Sequence, residues 1–342
     1  MIILLGAGCS QLGGKGSKAP DGGVFKTTDA GKTWATANVV PTAQGIGTLA
    51  TTNVINMEMD PQDNGVFYLG TRESGVLYSD DIAASWRLPR QVALRDGVVF
   101  EVQVDPFDRC TVYIAKGSRL YKTTDCLRTI DDETYVETRA GVNVVRIALD
   151  WYTQGTIWIG LSNGDVLKSI DAGKTWKSVL KLGKEVSQIL ISNKDSRQII
   201  VASYTLGFQR TSDGGDHWEK YDGDTARLTG TQIVYGLVQN KDASVTLATT
   251  KYGILRSMDF GLTWEPLKLL TSPSQVIIRA VGISPKDSNT IYYAVNSTFF
   301  TSTDSGKTWQ TQKFPSTRIP RTMIVDPKDP AVVYVGVAEA AE

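Results

Sequence analysis

The sequence is poor in the residues on which much enzyme chemistry and metal binding depend. Its 342 residues include one histidine and three cysteines. A single histidine excludes Ser-His-Asp nucleophilic catalysis, and the cysteines do not cluster with it as a zinc site requires. No Asp-x-Asp-x-Asp-Gly calcium loop occurs either. We therefore expect no metal and no cofactor.

The chain also lacks an excess of charge and a long hydrophobic run. Lys and Arg together number 36, as do Asp and Glu, so the formal net charge is zero, which argues against a nucleic-acid partner. No run of 18 apolar residues, the length of a membrane-spanning helix, occurs. Glycine is abundant instead, with 32 residues, and 41% of the chain is apolar. This composition is typical of a globular chain with many turns.

One phrase, Ser/Thr-x-Asp-x-Gly-x-Thr-Trp, occurs seven times. Its most complete copy is SIDAGKTW at residues 169–176. The aspartates of the seven copies are Asp29, Asp81, Asp125, Asp171, Asp213, Asp259 and Asp304, and six copies keep the tryptophan, as Trp34, Trp86, Trp176, Trp218, Trp264 and Trp309. Successive aspartates are 42 to 52 residues apart, a period typical of propeller blades.

Each period contains four short strand patterns. In one period they are residues 56–60, 66–70 and 75–78 before the phrase, and a strand that begins after its tryptophan. This pattern predicts an all-β fold, a seven-bladed β-propeller with four-stranded antiparallel blades. The chain starts with a third strand at 23–26 and ends with a second strand at 332–336. We therefore predict that N-terminal outer strands join C-terminal inner strands in one blade, which leaves no open sheet edge.

The residues of the repeated phrase are predicted to be structural. The aspartate accepts backbone N–H bonds across a turn, the glycine supplies a positive φ, and the tryptophan fills the gap between neighbouring sheets. His217 stands at the Thr position of one copy and is not predicted to be a catalytic base. Two copies are degenerate, with Ala83 and Leu127 for glycine and Ile130 for tryptophan. We expect their blades to be the least rigid.

These repeats resemble the Asp-boxes of bacterial neuraminidase (BNR) repeat proteins, a class that includes sialidases, xyloglucanases, sortilin-type receptors and photosystem II assembly factors. The resemblance covers residues 21–342. An Asp-Pro turn followed by an apolar strand and then Gly-Val-x-Lys-Ser/Thr-x-Asp is most similar to the sortilin and assembly-factor branch. That branch implies a chaperone-like role toward membrane protein complexes.

The first 20 residues resemble two different signals. The stretch IILLGAGC, which ends at Cys9, is similar both to a Rossmann strand and turn and to the end of a lipoprotein signal. The Rossmann interpretation fails because Gln11 stands where its third glycine belongs. We predict a leader and flexible tether over residues 1–20, lipidation of Cys9, and one propeller domain over 21–342. The alternative is a disordered leader with an incidental cysteine.

The other two cysteines are Cys110 and Cys126. Folding a hairpin around Gly117-Ser118 brings them to the same end, so we predict a disulfide, with two buried free thiols as the alternative. Such a bridge contributes about 3 kcal/mol. Together with a lipid anchor it predicts an extracytoplasmic location in the cell envelope, either anchored or secreted.

Arginines are the most informative candidates for a binding site. Arg146, Arg279 and Arg321 lie near the predicted starts of inner strands, and Arg318 lies just outside one. A ring of guanidinium groups binds carboxylates, phosphates or an acidic protein surface, whereas the alternative is a set of solvated rim arginines. With Trp151, which follows an inner strand, these residues form the predicted partner-binding surface.

The favoured interpretation is a non-enzymatic protein-binding or assembly module of the cell envelope, with a protein partner such as a membrane protein complex. A carbohydrate-active hydrolase and a sortilin-like peptide receptor remain as alternatives, so a glycan ligand stays open. The sialidase resemblance rests on Arg318-Ile319-Pro320, with Tyr204, Tyr235 and Glu101 as candidates by strand position only. A xyloglucanase implies two propellers, and a sortilin-type receptor implies ten blades and a cysteine-rich tail.

Overall fold

A computed structural model describes residues 21–131 and 134–340 of the chain. Cys9 and the predicted leader lie outside these residues. The described residues form a seven-bladed β-propeller with two short 3-10 helices, Val92–Leu94 and Asp224–Arg227. No helix in this part of the chain has the length and apolar character needed to cross a membrane.

The first half of the propeller follows the chain in order. Four strands precede blade 1: β1 (Gly23–Thr27), β2 (Ala35–Thr36), β3 (Val39–Thr42) and β4 (Gly45–Thr48). Blade 1 contains β5 (Val54–Met59), β6 (Phe67–Thr71) and β7 (Val76–Ser79). Blade 2 contains β8 (Val99–Val104), β9 (Val112–Lys116), β10 (Arg119–Thr123) and β11 (Tyr135–Val136). Blade 3 contains β12 (Val144–Leu149), β13 (Ile157–Leu161), β14 (Asp165–Ser169) and β15 (Lys177–Lys181).

The remaining blades repeat this arrangement. Blade 4 contains β16 (Val186–Ile191), β17 (Ile199–Ser203), β18 (Gly207–Thr211) and β19 (Glu219–Lys220). Blade 5 contains β20 (Val234–Gln239), β21 (Thr246–Thr250), β22 (Ile254–Ser257) and β23 (Glu265–Pro266). Blade 6 contains β24 (Ala280–Ile283), β25 (Ile291–Val295), β26 (Thr298–Ser302) and β27 (Gln310–Lys313). Blade 7 is built from β28 (Ile319–Val325), β29 (Val333–Ala338), β1 and β2.

Blade 7 closes the circle as the sequence predicts. Its strand order is β2-β1-β29-β28, and β1 pairs antiparallel with β29 from Gly23 opposite Val337 to Thr27 opposite Val333. Strands from the two ends of the chain thus complete one sheet. The predicted fold and its seam are confirmed.

The core lies between adjacent blades. Every residue of the second strands β6, β13 and β25 is buried, because each sheet is covered by a neighbour on both faces and has no solvent-facing side. Box tryptophans join the blades: the Trp34 ring meets Phe299 and Phe314 of blade 6 edge to face, at centroid distances of 5.1 and 5.0 Å. Trp86 and Trp264 are buried, and the other four are partly exposed.

All seven box aspartates accept hydrogen bonds across their turns. In the box of blade 3, Asp171 Oδ1 accepts from the Thr175 amide at 2.9 Å and from Ser169 Oγ at 2.8 Å, and Oδ2 accepts from Thr175 Oγ1 at 2.6 Å. Two successive residues adopt positive φ, 59° at Ala172 and 91° at Gly173. The turn therefore needs left-handed backbone at two positions, whereas the repeated phrase places a glycine at only one of them.

Blade 1 departs from the predicted four strands. Where its fourth strand belongs, a single antiparallel bridge joins Tyr78 to Arg87. Pro89 follows two residues later and has no N–H with which to extend the ladder. The 52-residue period between Asp29 and Asp81 also contains an extra hairpin, β3–β4, which the sequence pattern does not predict.

Candidate functional site

The first strands of the seven blades surround a cavity of about 700 Å³ on the propeller axis, which we call the channel. All seven of these inner strands contribute to its lining. The ionisable and aromatic side chains that share the channel come from all seven blades. They are Arg72, Arg146, Arg279, Arg321, Glu58, Glu101, Glu185, Tyr204, Tyr235 and Phe100, and every blade supplies at least one of them.

Bulges near the starts of the inner strands help to place these side chains. The register shifts between Val234 and Gly236 in β20, and between Pro320 and Thr322 in β28. The unpaired residues at these two bulges are Tyr235 and Arg321. Since a bulge re-aims the side chain of its extra residue, the same irregularity brings both into the channel lining.

Arg146 connects blades 3 and 4 inside the channel. Its Nε donates to the backbone oxygen of Ser187 in β16, Nη1 donates to the oxygen of Val145, and Nη2 donates to the Tyr204 hydroxyl at 3.1 Å. These bonds hold the guanidinium group in one orientation. Arg146 is therefore a fixed part of the wall.

Arg279 and the two tyrosines form a second group. The Arg279 guanidinium lies over the Tyr235 ring, 4.4 Å from its centroid, and the Tyr235 and Tyr204 ring centroids are 6.4 Å apart. Burial raises the pKa of Tyr235, while Arg279 lowers it. Tyr235 therefore stays a neutral phenol at physiological pH.

Glu101 and Glu58 are carboxyl groups in a poorly solvated part of the channel. Glu101, in β8, is buried, and its Oε2 accepts a hydrogen bond from the Ile147 amide at 2.6 Å. Burial raises the pKa of Glu101 to about 7, against the opposing effect of Arg146. Burial, and then the charges of Glu101 and Asp60, raise the pKa of Glu58 well above its usual range. Both carboxyl groups therefore hold protons at pH values where ordinary glutamates are ionised.

Glu185 precedes β16 and is the most exposed carboxylate of the three. Partial burial raises its pKa, while the positive charges of Arg146 and Arg321 lower it. The channel thus combines two carboxyl groups whose pKa values are raised by burial with a third that faces two arginines. Carboxyl groups in such different environments can perform general acid–base chemistry.

The structure does not bring the whole predicted partner-binding surface together. Arg146, Arg279 and Arg321 line the channel, but Arg318 lies outside it and pairs with Glu339 at 3.0 Å and Asp21 at 3.5 Å. These contacts tie the two ends of blade 7 together, so Arg318 is occupied within the fold.

Trp151 is also separate from the channel arginines. It follows the end of β12, whereas Arg146 lies near the start of that strand. Its indole Nε1 donates to the Ser192 oxygen at 2.8 Å, and its ring meets Tyr152 at 5.9 Å. Trp151 therefore belongs to the opposite face of the propeller.

Sequence reasoning also missed three ionisable channel residues. Glu58 alternates with Asn56 along β5, which is the signal that places both on the channel side. Glu185 directly precedes an inner strand, as Arg279 does, and the same positional rule would have found it. Arg72 follows a second strand, and no sequence pattern singles it out. Tyr204, Tyr235 and Glu101 do share the channel, as their strand positions suggest.

The remaining candidates lie at the box face. His217 is exposed, and its Nδ1 lies 2.6 Å from Asp213 Oδ2, which raises the pKa of His217 and lowers that of Asp213. Cys110 and Cys126 are joined by a disulfide, with Cα atoms 4.1 Å apart. Within residues 21–131 and 134–340, no group of three or more His, Cys, Asp or Glu is placed to hold a metal ion. The expectation of no metal or cofactor stays a prediction.

Comparison with known proteins gives one curated relative and many similar folds. A Neosartorya fischeri protein described as an oligoxyloglucan-reducing end-specific xyloglucanase is 26% identical over 153 residues, which is 39% of this chain and 19% of that protein. No family model matches the chain. Belonging to the BNR-repeat family therefore stays an expectation.

Three solved structures show the range of similar propellers. The GH74 xyloglucanase from Xanthomonas campestris has a TM-score of 0.67 at 15% identity, over 84% of this chain and 51% of that one. A YCF48 protein bound to a D1 peptide has a TM-score of 0.63 at 15% identity, over 84% and 94%. The extracellular domain of BT4673 from B. thetaiotaomicron has a TM-score of 0.66 at 13% identity, over 89% and 39%. The chain spans about a fifth of the curated relative and about half of the GH74 enzyme.

These findings correct the favoured interpretation from the sequence. The curated relative and the GH74 structures are described as glycoside hydrolases, and the sequence analysis treats that class as an alternative only. The interpretation as a non-enzymatic assembly module of the cell envelope is therefore wrong. The physical reason for the error is that carboxyl groups such as Glu58 and Glu185 are far apart in sequence and come to line one cavity only when the blades close around the axis.

Proposed function

We propose that this protein is a carbohydrate-active propeller that hydrolyses a glycosidic bond in its channel. The observation that carries the proposal is the meeting of three glutamates of raised pKa with two tyrosines in one cavity. A volume of about 700 Å³ lies within the range of small-ligand sites. The likeness to glycoside hydrolases supports this reaction class.

Glu101 is the proposed proton donor. With a pKa of about 7, it is close to half protonated at neutral pH, which suits a general acid. Its Oε2 accepts the Ile147 amide hydrogen, so the proton belongs on Oε1. Burial keeps this carboxyl group protonated until the leaving oxygen takes the proton, as in other glycosidases that use a pair of carboxyl groups.

Glu185 is the proposed second carboxylate. The neighbouring Arg146 and Arg321 favour its ionised form, and its exposure lets it reach water or a sugar carbon. It would act as the base or nucleophile opposite the acid. Tyr204 and Tyr235 present aromatic rings against which a sugar can pack. Glu58, whose Oε2 accepts a hydrogen bond from Gln103 Nε2 at 3.4 Å, has a pKa raised well above its usual range and would donate a hydrogen bond to the sugar when it is protonated.

The test is turnover of a glycoside panel that begins with xyloglucan oligosaccharides, with the variants Glu101→Gln and Glu185→Gln. We expect each to lower kcat by at least about 100-fold, because each removes one proton-transfer or nucleophilic role. Glu219→Gln, an exposed change in β19, is the matched control and should leave turnover unchanged. The absence of turnover by folded wild-type protein on every glycoside would refute hydrolysis.

A peptide is the second ligand class proposed for the channel. One similar propeller is described with a bound D1 peptide, so this fold accepts such a ligand. Of the predicted protein partner, we therefore retain only a peptide ligand of the channel and not a membrane complex. Competition between peptides and oligosaccharides for the channel distinguishes the two classes.

We also propose an extracytoplasmic location and one propeller domain. The Cys110–Cys126 disulfide and the extracellular domain among the similar structures support the location. Residues 1–20 as a leader and tether, Cys9 as a lipidation site and residues 21–342 as the domain are retained as proposals. The hydrogen-bond pattern of the seven turns supports assignment to the Asp-box repeat class.

A further inference from the structure

The channel contains more positive charge than its own carboxylates balance, and we propose that this excess binds the carboxylate of an acidic sugar in the substrate. The inference rests on the proposed glycoside hydrolysis and names its substrate class. It assigns Arg321 and Arg279 as the groups that distinguish an acidic from a neutral sugar.

Several arginines elsewhere on the propeller are paired with carboxylates. The pairs are Arg87–Asp80, Arg139–Glu137, Arg197–Asp195, Arg256–Glu265 and Arg318–Glu339, with N–O distances from 2.5 to 3.0 Å. In the part of the chain that the structure describes, no such pair forms at Arg279 or Arg321. Arg72 and Arg146 also lack an ion pair within this part of the chain, but they donate hydrogen bonds to oxygen atoms of the protein. Among the residues that the structure describes, Arg279 and Arg321 are therefore the channel arginines with neither kind of partner.

Arg321 has the least favourable surroundings of the channel arginines. It lies at the bulge of β28, and no residue in the described ranges accepts a hydrogen bond from it. Burial, followed by the charges of Arg279, Arg146 and Arg72, lowers the pKa of Arg321 to about 10, although Tyr204 opposes the shift. An unpaired cation beside like charges is costly, and a bound anion removes that cost.

The channel carboxyl groups do not supply this anion. The lining contains three carboxyl groups, and burial raises the pKa of each, that of Glu101 to about 7, so together they carry less negative charge at neutral pH than ordinary glutamates do. Four arginines line the same space. A neutral sugar would leave Arg321 without a partner, whereas an acidic sugar would provide one.

The geometry favours a carboxylate on a sugar ring. A guanidinium group presents a planar fork of N–H donors that matches the two oxygens of a carboxylate. Arg279 covers one face of the Tyr235 ring, so a sugar that packs against the edge or the other face of this ring would lie beside the cation. A hexuronic acid and a sialic acid both have a carboxylate on the sugar ring. Testing them separately shows which of the two classes of sugar the channel binds.

The first experiment measures binding by calorimetry to wild-type protein, without turnover. The probes are glucuronate, galacturonate and N-acetylneuraminate, with glucuronate methyl ester and glucose as uncharged counterparts and sodium sulfate as a simple anion. We expect at least one sugar acid to bind at least about tenfold more tightly than the uncharged sugars and than sulfate. The acid that binds most tightly identifies the sugar class. Equal affinity for glucuronate and its methyl ester, with no binding of the other acids, would overturn the proposal. Sulfate that binds as tightly as the best sugar acid would overturn it as well.

The second experiment compares Arg321→Gln, Arg321→Lys and Arg279→Gln with Arg197→Gln, an exposed arginine outside the channel. We expect the two glutamine variants to lose at least about tenfold in affinity for the sugar acid. Arg321→Lys should lose less, because it keeps the charge but not the fork. Circular dichroism confirms folding of each variant. Wild-type affinity in folded Arg321→Gln contradicts the assignment.

The two proposals can fail separately. If a sugar acid binds through Arg321 but no glycoside is hydrolysed, the hydrolase proposal fails and the anion site stands. If neutral glycosides are hydrolysed with loss in Glu101→Gln, but no sugar acid binds, the hydrolase proposal stands and the anion site fails.

Discussion

At the scale of single residues, the channel and the boxes use their carboxyl groups in opposite ways. Box carboxylates such as Asp171 accept hydrogen bonds from the turn, and the bonds from Thr175 and Ser169 lower the pKa of Asp171 to about 2. Glu101 and Glu58 meet few donors and much apolar surface, so their pKa values rise. The same chemical group therefore stabilises the frame in one place and holds a proton in the other.

This contrast predicts how stability depends on pH. The pKa of Glu101 is raised from 4.5 to about 7, so its contribution to folding is complete below pH 4.5 and is lost as pH rises through 7. For a buried group this loss amounts to about 3 kcal/mol at most. Asp171 acts in the opposite sense, because its lowered pKa stabilises the fold above pH 3.8 and the effect is lost as pH falls toward 2.

Urea unfolding at several pH values checks the prediction. Between pH 5 and 8, the free energy of unfolding of wild-type protein should fall more steeply than that of Glu101→Gln, which has no proton to lose at this site. Glu58 contributes in the same direction, and Arg146 opposes it. Glu219→Gln should follow the wild-type curve. Parallel curves for wild type and Glu101→Gln would show that Glu101 has an ordinary pKa.

At the scale of elements, blade 2 has a covalent link where the other blades rely on packing. Its box has Leu127 and Ile130 in place of glycine and tryptophan, and Leu127 is buried with a φ of 64°. The disulfide joins the turn after β8 to the box turn, where the Cys126 amide also donates to the Cys110 oxygen at 3.0 Å. The bridge thus fastens the blade whose box is most degenerate. That this blade is less rigid than the others remains a prediction.

Removing this link should destabilise the protein. The bridge spans a sequence separation of 16 residues, and closing a loop of that size stabilises a fold by about 3 kcal/mol. We expect Cys110→Ser with Cys126→Ser to lower the free energy of unfolding by this amount in urea titrations. Reducing agent should have the same effect on wild type and none on the double variant. Unchanged stability of the double variant would show that packing alone holds the blade.

At the scale of the whole molecule, the repeats determine the architecture and leave the site open. Seven box aspartates at regular intervals predict seven blades and the joined ends, because period and strand order are local properties of the chain. The β3–β4 hairpin and the missing fourth strand of blade 1 are not predicted, because they depend on an insertion and on Pro89.

The site is harder to predict, since its residues come from blades that are distant in sequence. Strand position correctly suggests that Arg146, Arg279 and Arg321 lie near the axis. It does not distinguish Arg318, which pairs with Glu339 at the far end of the chain. The raised pKa values of the glutamates arise only when the blades enclose them, so no sequence pattern reveals the proton-holding groups.

The most direct test of the central claim is a crystal structure of Glu101→Gln with a bound oligosaccharide that the wild type cleaves. The account predicts electron density for a sugar in the channel, with Glu185 facing the scissile bond and Tyr235 beside the ring. Density confined to the outer surface, with an empty channel at full ligand occupancy elsewhere, would contradict it.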